Sequence, residues 1–453
     1  MRPVIIGGGI SGLSAAYYLA KAGVAPVLIE KESRLGGVIQ TSTIDGCIVE
    51  GGPDSFLTAK PAALELIREL GLADEVISSN DRLRVTYIVR RGRLVPLPDG
   101  LTMMIPTKIW PLLRTRLLGW PAKIRMGLEF FRRPPSAQFP DRSVTDFIAD
   151  HYGHEALDYL TEPLLAGIYG GAPAQLSAAS VLPRFVEMET KYGSLTRAVL
   201  EARRKIPAGA APAPLFQTLK NGMGSLISKM EKCIAASLCG EVEAIDRQGS
   251  GYRVRVKGDW IEADRLIVAC PAWRAAKLFE TLNPLLAHSL AAIPYSSSLT
   301  LSLGYRKSDF PQPLNGFGFL VPKCERERMV ACTWVGTKFS HRVPESRVLL
   351  RCFFGGQSDE AILNHPDESL VSIAKRELSR FMNLQAEPEF FSISRWPKSM
   401  AQYTVGHGQR IKEIESHAAA LPGVELIGNA YQGIGIPDCI RMAKEAAARI
   451  VSS

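Results

Sequence analysis

No two cysteines of this 453-residue chain stand in a Cys-x-x-Cys spacing; the eight lie scattered at positions 47, 233, 239, 270, 324, 332, 352 and 439. That excludes an iron–sulfur or zinc-ribbon site and a disulfide framework, and reads instead as small buried thiols in a reducing compartment. No run of 18 apolar residues occurs, so no segment is expected to cross a bilayer as a helix. The apolar start at Val4 lacks a cleavage-type region and is not expected to be a secretion signal. Neither His-Glu-x-x-His nor Gly-x-Ser-x-Gly is found, which removes the zinc peptidases and the serine hydrolases. His151 and His154 share a helix face and read as an exposed polar pair rather than as metal ligands; no metal is expected. A formal charge of +9, from 54 Lys and Arg against 45 Asp and Glu, is moderate and is not gathered into a nucleic-acid module. Anionic small molecules or an acidic membrane surface suit it better.

What the chain does have begins almost at its first residue. Pro3 to Ile6 is a short apolar run of the kind a strand buried on both faces requires. Gly7-x-Gly9-x-x-Gly12 follows at once, then an Ala-rich helical pattern to Ala22, with Gly23 where a helix ends. Val27 to Glu30 reads as the second strand. Gly7 permits the tight turn, Gly9 lets backbone approach a pyrophosphate, and Gly12 lets helix pack on strand. The helix N-terminus adds donors for phosphate, and Glu30 is placed to accept from an adenosine ribose. After Lys31 comes Arg34-Leu35-Gly36-Gly37-Val38-Ile39-Gln40-Thr41, an Arg-x-Gly-Gly-x-x-x-Thr run whose paired glycines mark a second place where backbone must come close to something, or a plain surface turn.

The remaining chain divides by pattern. Gly46 to Phe56 is a strand breaking into the loop Gly52-Pro53-Asp54-Ser55. Arg82 to Leu97 alternates as a hairpin turning at Arg91-Gly92. Leu101 to Arg133 is apolar and basic, seven cations to one acid, Glu129, and its prolines at 106, 111 and 121 divide it into short helices. This composition suits a segment lying on anionic lipid, or an apolar roof over a substrate slot. Ser143 to Ala166 reads as helix. Pro207 to Pro214 reads as linker. Glu241–Ile245, Tyr252–Val256 and Trp260–Cys270 form a meander, and four runs between Leu299 and Phe353 form a second sheet. Val424 to Ile450 repeats the opening grammar of strand, glycine turn and helix, with Gly428, Gly433, Gly435 and Ile436 at the turn.

With these residues in view, the chain resembles the oxygen-dependent protoporphyrinogen/coproporphyrinogen oxidases of haem synthesis, within the amine-oxidase type of FAD enzyme. The likeness is carried by Gly7–Leu13, Glu30–Gly37 and Gly51–Pro53, by Ala166–Pro173 with Leu176-Ser177, by Gly222–Leu226, by Gln402–His407 and by Gly428–Cys439. Ala172, Ala401 and Met442-Ala443 depart from the family's pattern in loop detail. The resemblance implies an α/β fold: a discontinuous Rossmann-like FAD-binding domain, a mixed-sheet substrate domain and an inserted helical lobe. The implied bounds are 1–85, 215–275 and 395–453 for FAD, 86–100 and 276–394 for substrate, 101–206 for the lobe and 207–214 for the linker.

It further implies non-covalent FAD held by Gly7, Gly8, Gly9, Ser11, Gly12, Glu30, Lys31, Gly36, Gly37, Val38, Gly52, Pro53, Asp54 and Ser55. Val242 would meet adenine through its backbone, and Gly428, Gly435 and Ile436 the flavin end. Arg84 would hold a substrate propionate, and Gly167 and Gly171 would let a macrocycle approach backbone. Read from the residues alone, Arg84 is equally a solvated hairpin charge and the glycines a helix–loop junction. The activity implied is oxidation of a porphyrinogen with O2, giving H2O2, with no catalytic protein base, no nucleic-acid partner and a cytoplasmic location, in peripheral contact with the membrane's inner face if 101–133 binds lipid. An amine oxidase, a carotenoid desaturase and a non-catalytic lipid or prenyl carrier on the same scaffold remain as alternatives.

Overall fold

The structure, a computed structural model, describes residues 1–102, 104–136, 140–204, 214–310 and 312–452. The expected linker therefore lies outside the described residues except for Pro214, as does Met103 of the basic apolar segment. The chain packs as two compact units: Met1–Ser79 with Pro214–Pro294 and Gly408–Ser453, and Asn80–Ala213 with Tyr295–His407. The helical segment belongs to the second unit.

The first unit is built on a five-stranded parallel sheet, ordered Ser237–Cys239, Val27–Glu30, Pro3–Ile6, Arg265–Val268 and Val424–Leu426. Pro3–Ile6 lies in the middle with every residue buried, as its unbroken apolar run requires. The helix Ile10–Lys21 returns from it, buries nine consecutive residues from Ser11 to Leu19, and packs on the last helix, Ile436–Ser452. An all-round apolar helix of this kind must be enclosed, and the small Ala and Gly side chains let it be. Beside this sheet stands an antiparallel meander of Val242–Gln248, Gly251–Val256 and Asp259–Ala263. The run expected as a single third meander strand, Trp260–Cys270, is thus two strands: its first half closes the meander and its second half, Arg265–Val268, enters the parallel sheet.

The second unit holds a seven-stranded mixed sheet, ordered Phe390–Ala401, Tyr295–Arg306, Arg347–Gly355, Ala331–Trp334, Gly318–Leu320, Thr86–Arg90 and Arg93–Pro96. Leu299, Leu301, Leu303 and Tyr305 alternate onto one face and bury against Leu370, Ala374, Leu378 and Phe381 of the helix Asp367–Met382. The edge strand Phe390–Ala401 is not among the strands expected from sequence, because Trp396-Pro397-Lys398 breaks its alternation. A proline is tolerated there since an edge strand has an unpaired side.

In the basic apolar segment two of the three prolines stand where short helices begin. Pro111 and Pro121 sit in the first turns of Ile109–Arg114 and Trp120–Leu128, where no amide partner is lost. Pro106 ends a short strand pair, Leu101–Thr102 with Ile105–Pro106.

Candidate functional site

The glycines of the first turn fall into two kinds once a Cβ is imagined on each. At Gly7, which has φ of +106°, it would meet the Ala269 backbone at 3.0 Å; at Gly12 it would lie 1.9 Å from the Gly7 carbonyl oxygen. At Gly52 it would lie 1.8 Å from the Val38 carbonyl oxygen. These three are demanded by the protein's own packing. At Gly9, and at Gly428 in the C-terminal turn, a Cβ would meet no protein atom within 4 Å. Gly9 has φ of −70°, so nothing in its own backbone calls for glycine. The protein thus leaves the place of a side chain open at Gly9, as the sequence expectation of a passing pyrophosphate requires.

The neighbouring loop is tied to this turn. The Gly36 amide donates to the Gly8 carbonyl at 2.8 Å, and a Cβ on Gly37 would sit 3.2 Å from Gly9 Cα. Gly36 and Gly37 take φ of +102° and +58°, conformations that favour glycine. Arg34 donates to the Gly37 carbonyl at 2.6 Å and so holds the loop in shape, while Val38 remains partly exposed. The buried Glu50 accepts from the Met223 amide at 2.7 Å and from the Thr41 hydroxyl, which itself accepts from the Gly224 amide at 2.8 Å. A Cβ on Gly222 would collide with Thr41 at 2.3 Å. Glu50, which sequence reasoning did not single out, and Thr41, which it noted only as the end of the run 34–41, are therefore positioning residues; the signal for Glu50 was the Gly222-Met223-Gly224 turn, which lies about 170 positions away.

Glu30 ends its strand with both oxygens in use. Oε2 accepts from the Gly8 amide at 2.6 Å and Oε1 from the Glu32 amide at 3.0 Å. Each carboxylate oxygen has a further lone pair for a ribose hydroxyl. Lys31 is exposed and pairs with Glu32 at 3.2 Å. The Gly240 amide donates to the Glu30 carbonyl at 2.8 Å, which brings Val242 to the same end of the sheet; the Val242 carbonyl accepts from Arg274 at 3.0 Å. Ser55 donates to Asp54 at 2.6 Å, and the Asp54 carbonyl accepts from Thr218 at 2.7 Å, which fixes the loop after Pro53.

Ser11 is buried in the first turn of its helix beside Cys439, and Ile436 is buried in the first turn of the last. Burial pushes the Cys439 thiol up to about 11, although Ser11 hydrogen-bonds to it, and pushes Cys270 up to about 12. Both stay protonated at neutral pH and are not nucleophiles.

The three substrate-side residues all belong to the second unit. Arg84 is not in the hairpin, which runs Thr86–Arg90 and Arg93–Pro96; it closes the short turn Asp81–Leu83 and pairs loosely with Asp81 at 3.9 Å, its side chain 48% exposed. Gly167 lies within the helix Glu162–Tyr169, and a Cβ there would make only ordinary contact, 3.9 Å from Leu320. At Gly171 a Cβ would stand 2.2 Å from Gln402 Oε1, so the protein's own packing accounts for that glycine. Gln402 is buried and donates to the Tyr169 carbonyl at 2.7 Å and to Ser296 at 2.9 Å. His151, expected on an exposed face, is buried between Glu129 at 3.0 Å and Glu189 at 3.1 Å, whereas His154 is exposed. Among the described residues no group of three or more His, Cys, Asp or Glu side chains could hold a metal.

The sequence profile of the family described as "Flavin containing amine oxidoreductase" matches residues 10–451. The chain is 36% identical over 460 residues to the coproporphyrinogen III oxidase of Bacillus subtilis (strain 168), covering 98% of this chain and 96% of that one. The protein of the same name from Staphylococcus aureus (strain NCTC 8325 / PS 47) is 32% identical over 465 residues, covering 99% and 98%. A solved structure from Exiguobacterium sp. 255-15 superposes with a TM-score of 0.88 at 31% identity, covering 100% of this chain and 98% of the other. The chain belongs to the flavin-containing amine oxidoreductase family, and the cofactor its glycine turns fit is FAD.

Proposed function

We propose that this protein oxidises coproporphyrinogen III to coproporphyrin III, a six-electron aromatisation with O2 reduced to H2O2, as a step of haem synthesis. The observation that carries this reading is similarity along nearly the whole chain to two enzymes named coproporphyrinogen III oxidase. When bound, FAD supplies a hydride acceptor whose electrons pass on to oxygen. The residues proposed to hold it are Gly7, Gly8, Gly9, Ser11, Gly12, Glu30 and Lys31 at phosphate and ribose, and Val242 at adenine. Gly36, Gly37, Val38, Gly52, Pro53, Asp54, Ser55, Gly428, Gly435 and Ile436 are proposed to line the remainder. A porphyrinogen gains aromatic stabilisation as its hydrogens leave, so the protein's part is to orient the ring and neutralise its carboxylates.

Arg84 is the proposed propionate partner, and its exposure and long contact to Asp81 leave the guanidinium available. Gly167 suits a close approach of the ring better than Gly171, because only at Gly167 does the protein itself have room for a side chain. The purified protein should convert coproporphyrinogen III to a fluorescent porphyrin aerobically, without added NAD, and faster than protoporphyrinogen IX. Arg84→Ala should raise KM about tenfold, roughly 1.4 kcal/mol, with little change in kcat, since a carboxylate clamp acts alike in ground and transition states. An unchanged KM removes Arg84 from the site. A flavin-loaded protein inert towards both porphyrinogens removes the reading itself.

We further propose that residues 101–133 rest on anionic lipid. Ile109, Trp110, Trp120, Ile124, Leu128 and Phe131 are each more than half exposed. The segment's one acid, Glu129, is buried, so its outer surface carries no carboxylate. Fewer cations than the sequence suggests are available: Lys123 is buried and donates to the Leu113 and Thr115 carbonyls, Arg132 pairs with Asp150 and Lys108 with Asp99. Arg114, Arg116 and Arg133 make no ion pair among the described residues. No helix among the described residues is long and apolar enough to cross a membrane, so contact would be peripheral. The protein should float with phosphatidylserine vesicles at low salt and be released at high salt, each free cation contributing about 1 kcal/mol. If Arg114→Glu with Arg116→Glu floats equally well, the segment serves as a roof and not as an anchor.

A further inference from the structure

We propose that Lys60 and Asp438 form a charge-balanced latch inside the C-terminal glycine turn, and that this latch sets both the affinity and the reduction potential of the bound flavin. The inference rests on the flavin reading of that turn. The two residues are 378 positions apart, yet Lys60 Nζ lies 2.8 Å from Asp438 Oδ1 and 2.6 Å from Oδ2. Asp438 Oδ2 also accepts from the Gly435 amide at 3.2 Å. A Cβ on Gly433, which has φ of +120°, would stand 2.5 Å from the Asp438 carboxyl carbon, and one on Gly435 would stand 3.1 Å from Oδ2. The carboxylate therefore fills the inside of the turn, and two of its glycines are glycine to admit it.

Charge explains why a lysine is needed as well. Asp438 lies in the first turn of Ile436–Ser452, where a carboxylate suits the helix dipole but cancels the positive end the helix would present to an anionic group. Lys60 restores the balance. The Asp438 side chain is only 11% exposed, so water screens it poorly; Lys60, 47% exposed, reaches it from the surface. Without Lys60 an uncompensated negative charge would remain beside the turn and oppose the negative charge that reduction places on the flavin.

The test compares Lys60→Met, Asp438→Asn and the double variant, each loaded with FAD. FAD affinity is measured by flavin fluorescence and the midpoint potential by equilibration with reference dyes. Asparagine keeps an acceptor for the Gly435 amide while removing the charge. Lys60→Met should weaken FAD roughly tenfold and move the potential to a more negative value; the double variant should recover the wild-type potential. Two results overturn the latch: a Lys60→Met protein with unchanged affinity and potential, or a double variant shifted as far as the single one. A wild-type protein that takes up no FAD would reject the flavin reading instead, and would show itself before any variant is made.

Discussion

Alanine at position 12 should cost the protein its folded first unit, whereas alanine at position 9 should cost it only its flavin. The added methyl at Gly12 would lie 1.9 Å from the Gly7 carbonyl oxygen and 3.3 Å from the Ala269 Cβ, both fixed by the central strands. Neither neighbour is the flexible end of a side chain. Helix and strand must separate, at about 3 kcal/mol or more, the upper end of what overpacking costs. At Gly9 the methyl meets no protein atom and the backbone is already in a conformation any residue adopts. The cost to the free protein is then about 0.5 kcal/mol, that of alanine for glycine at a helix N-cap. FAD affinity should nevertheless fall about a hundredfold, roughly 2.7 kcal/mol, because the methyl stands between backbone amides and phosphate. Thermal melts of the flavin-free proteins and FAD titrations separate the two effects. A Gly9→Ala protein that binds FAD as tightly as wild type would mean that the phosphates do not pass over this residue.

The same contrast explains what could be read from the chain alone. The opening turn was legible because its requirements are local: a buried strand, three glycines and a terminal acid fall within 28 residues, and each answers to one steric or hydrogen-bonding demand. Glu30 was singled out this way as a ribose acceptor, but not for its bond to the Gly8 amide, which makes it part of the turn's own support. Residues whose partners lie far along the chain were not legible. Nothing near Lys60 announces Asp438, and nothing near Glu50 announces the Met223 amide. Arg84 was assigned to a hairpin because Arg82–Leu97 alternates, but alternation in a polar run does not fix where pairing starts, and the strand begins at Thr86.

The exposed apolar residues between Ile109 and Phe131 carry the other half of this lesson. Their composition was plain in the sequence, but the direction each side chain takes was not. Turning Glu129 and Lys123 inward changes the surface from a mixed one with seven cations to an apolar one edged by a few. In the proposed lipid contact the aromatic and aliphatic side chains would then carry most of the binding, with charge adding a preference for anionic lipid.

Replacing His151 by leucine should destabilise the helical part of the second unit by about 3 kcal/mol, the low end of the penalty for stranding buried charge. His151 Nδ1 faces Glu129 and Nε2 faces Glu189, and a carboxylate can only accept. Both ring nitrogens must then carry a proton, so the ring is an imidazolium. Burial opposes that charge, yet the hydrogen bonds to Glu129 and Glu189 outweigh it and hold the pKa of His151 above its ordinary value. Burial likewise opposes ionisation of the two glutamates. Hydrogen bonds from His151, Thr196 and the Leu195 amide nevertheless hold Glu129 below its ordinary range, and His151 and Arg142 do the same for Glu189.

The signs give two limbs. The histidine's contribution is complete below about pH 6.5, its unfolded value, and is lost as pH rises through the raised folded one. The glutamates contribute above about pH 4.3 and lose it as pH falls through their lowered folded values. Glu129 also receives the amides of Leu195 and Thr196 at 2.6 and 3.2 Å, capping the helix Leu195–Arg204, and Glu189 keeps Arg142, which is why the loss stays at the low end. Amide hydrogen exchange of Leu195–Arg204, followed from pH 3 to 9, reads the effect where it arises. In the leucine variant protection should fall, its decline at alkaline pH should disappear, and the acid limb should become shallower. Protection and slope equal to wild type would mean that Glu129 caps that helix without help, and that the imidazolium contributes nothing to the fold.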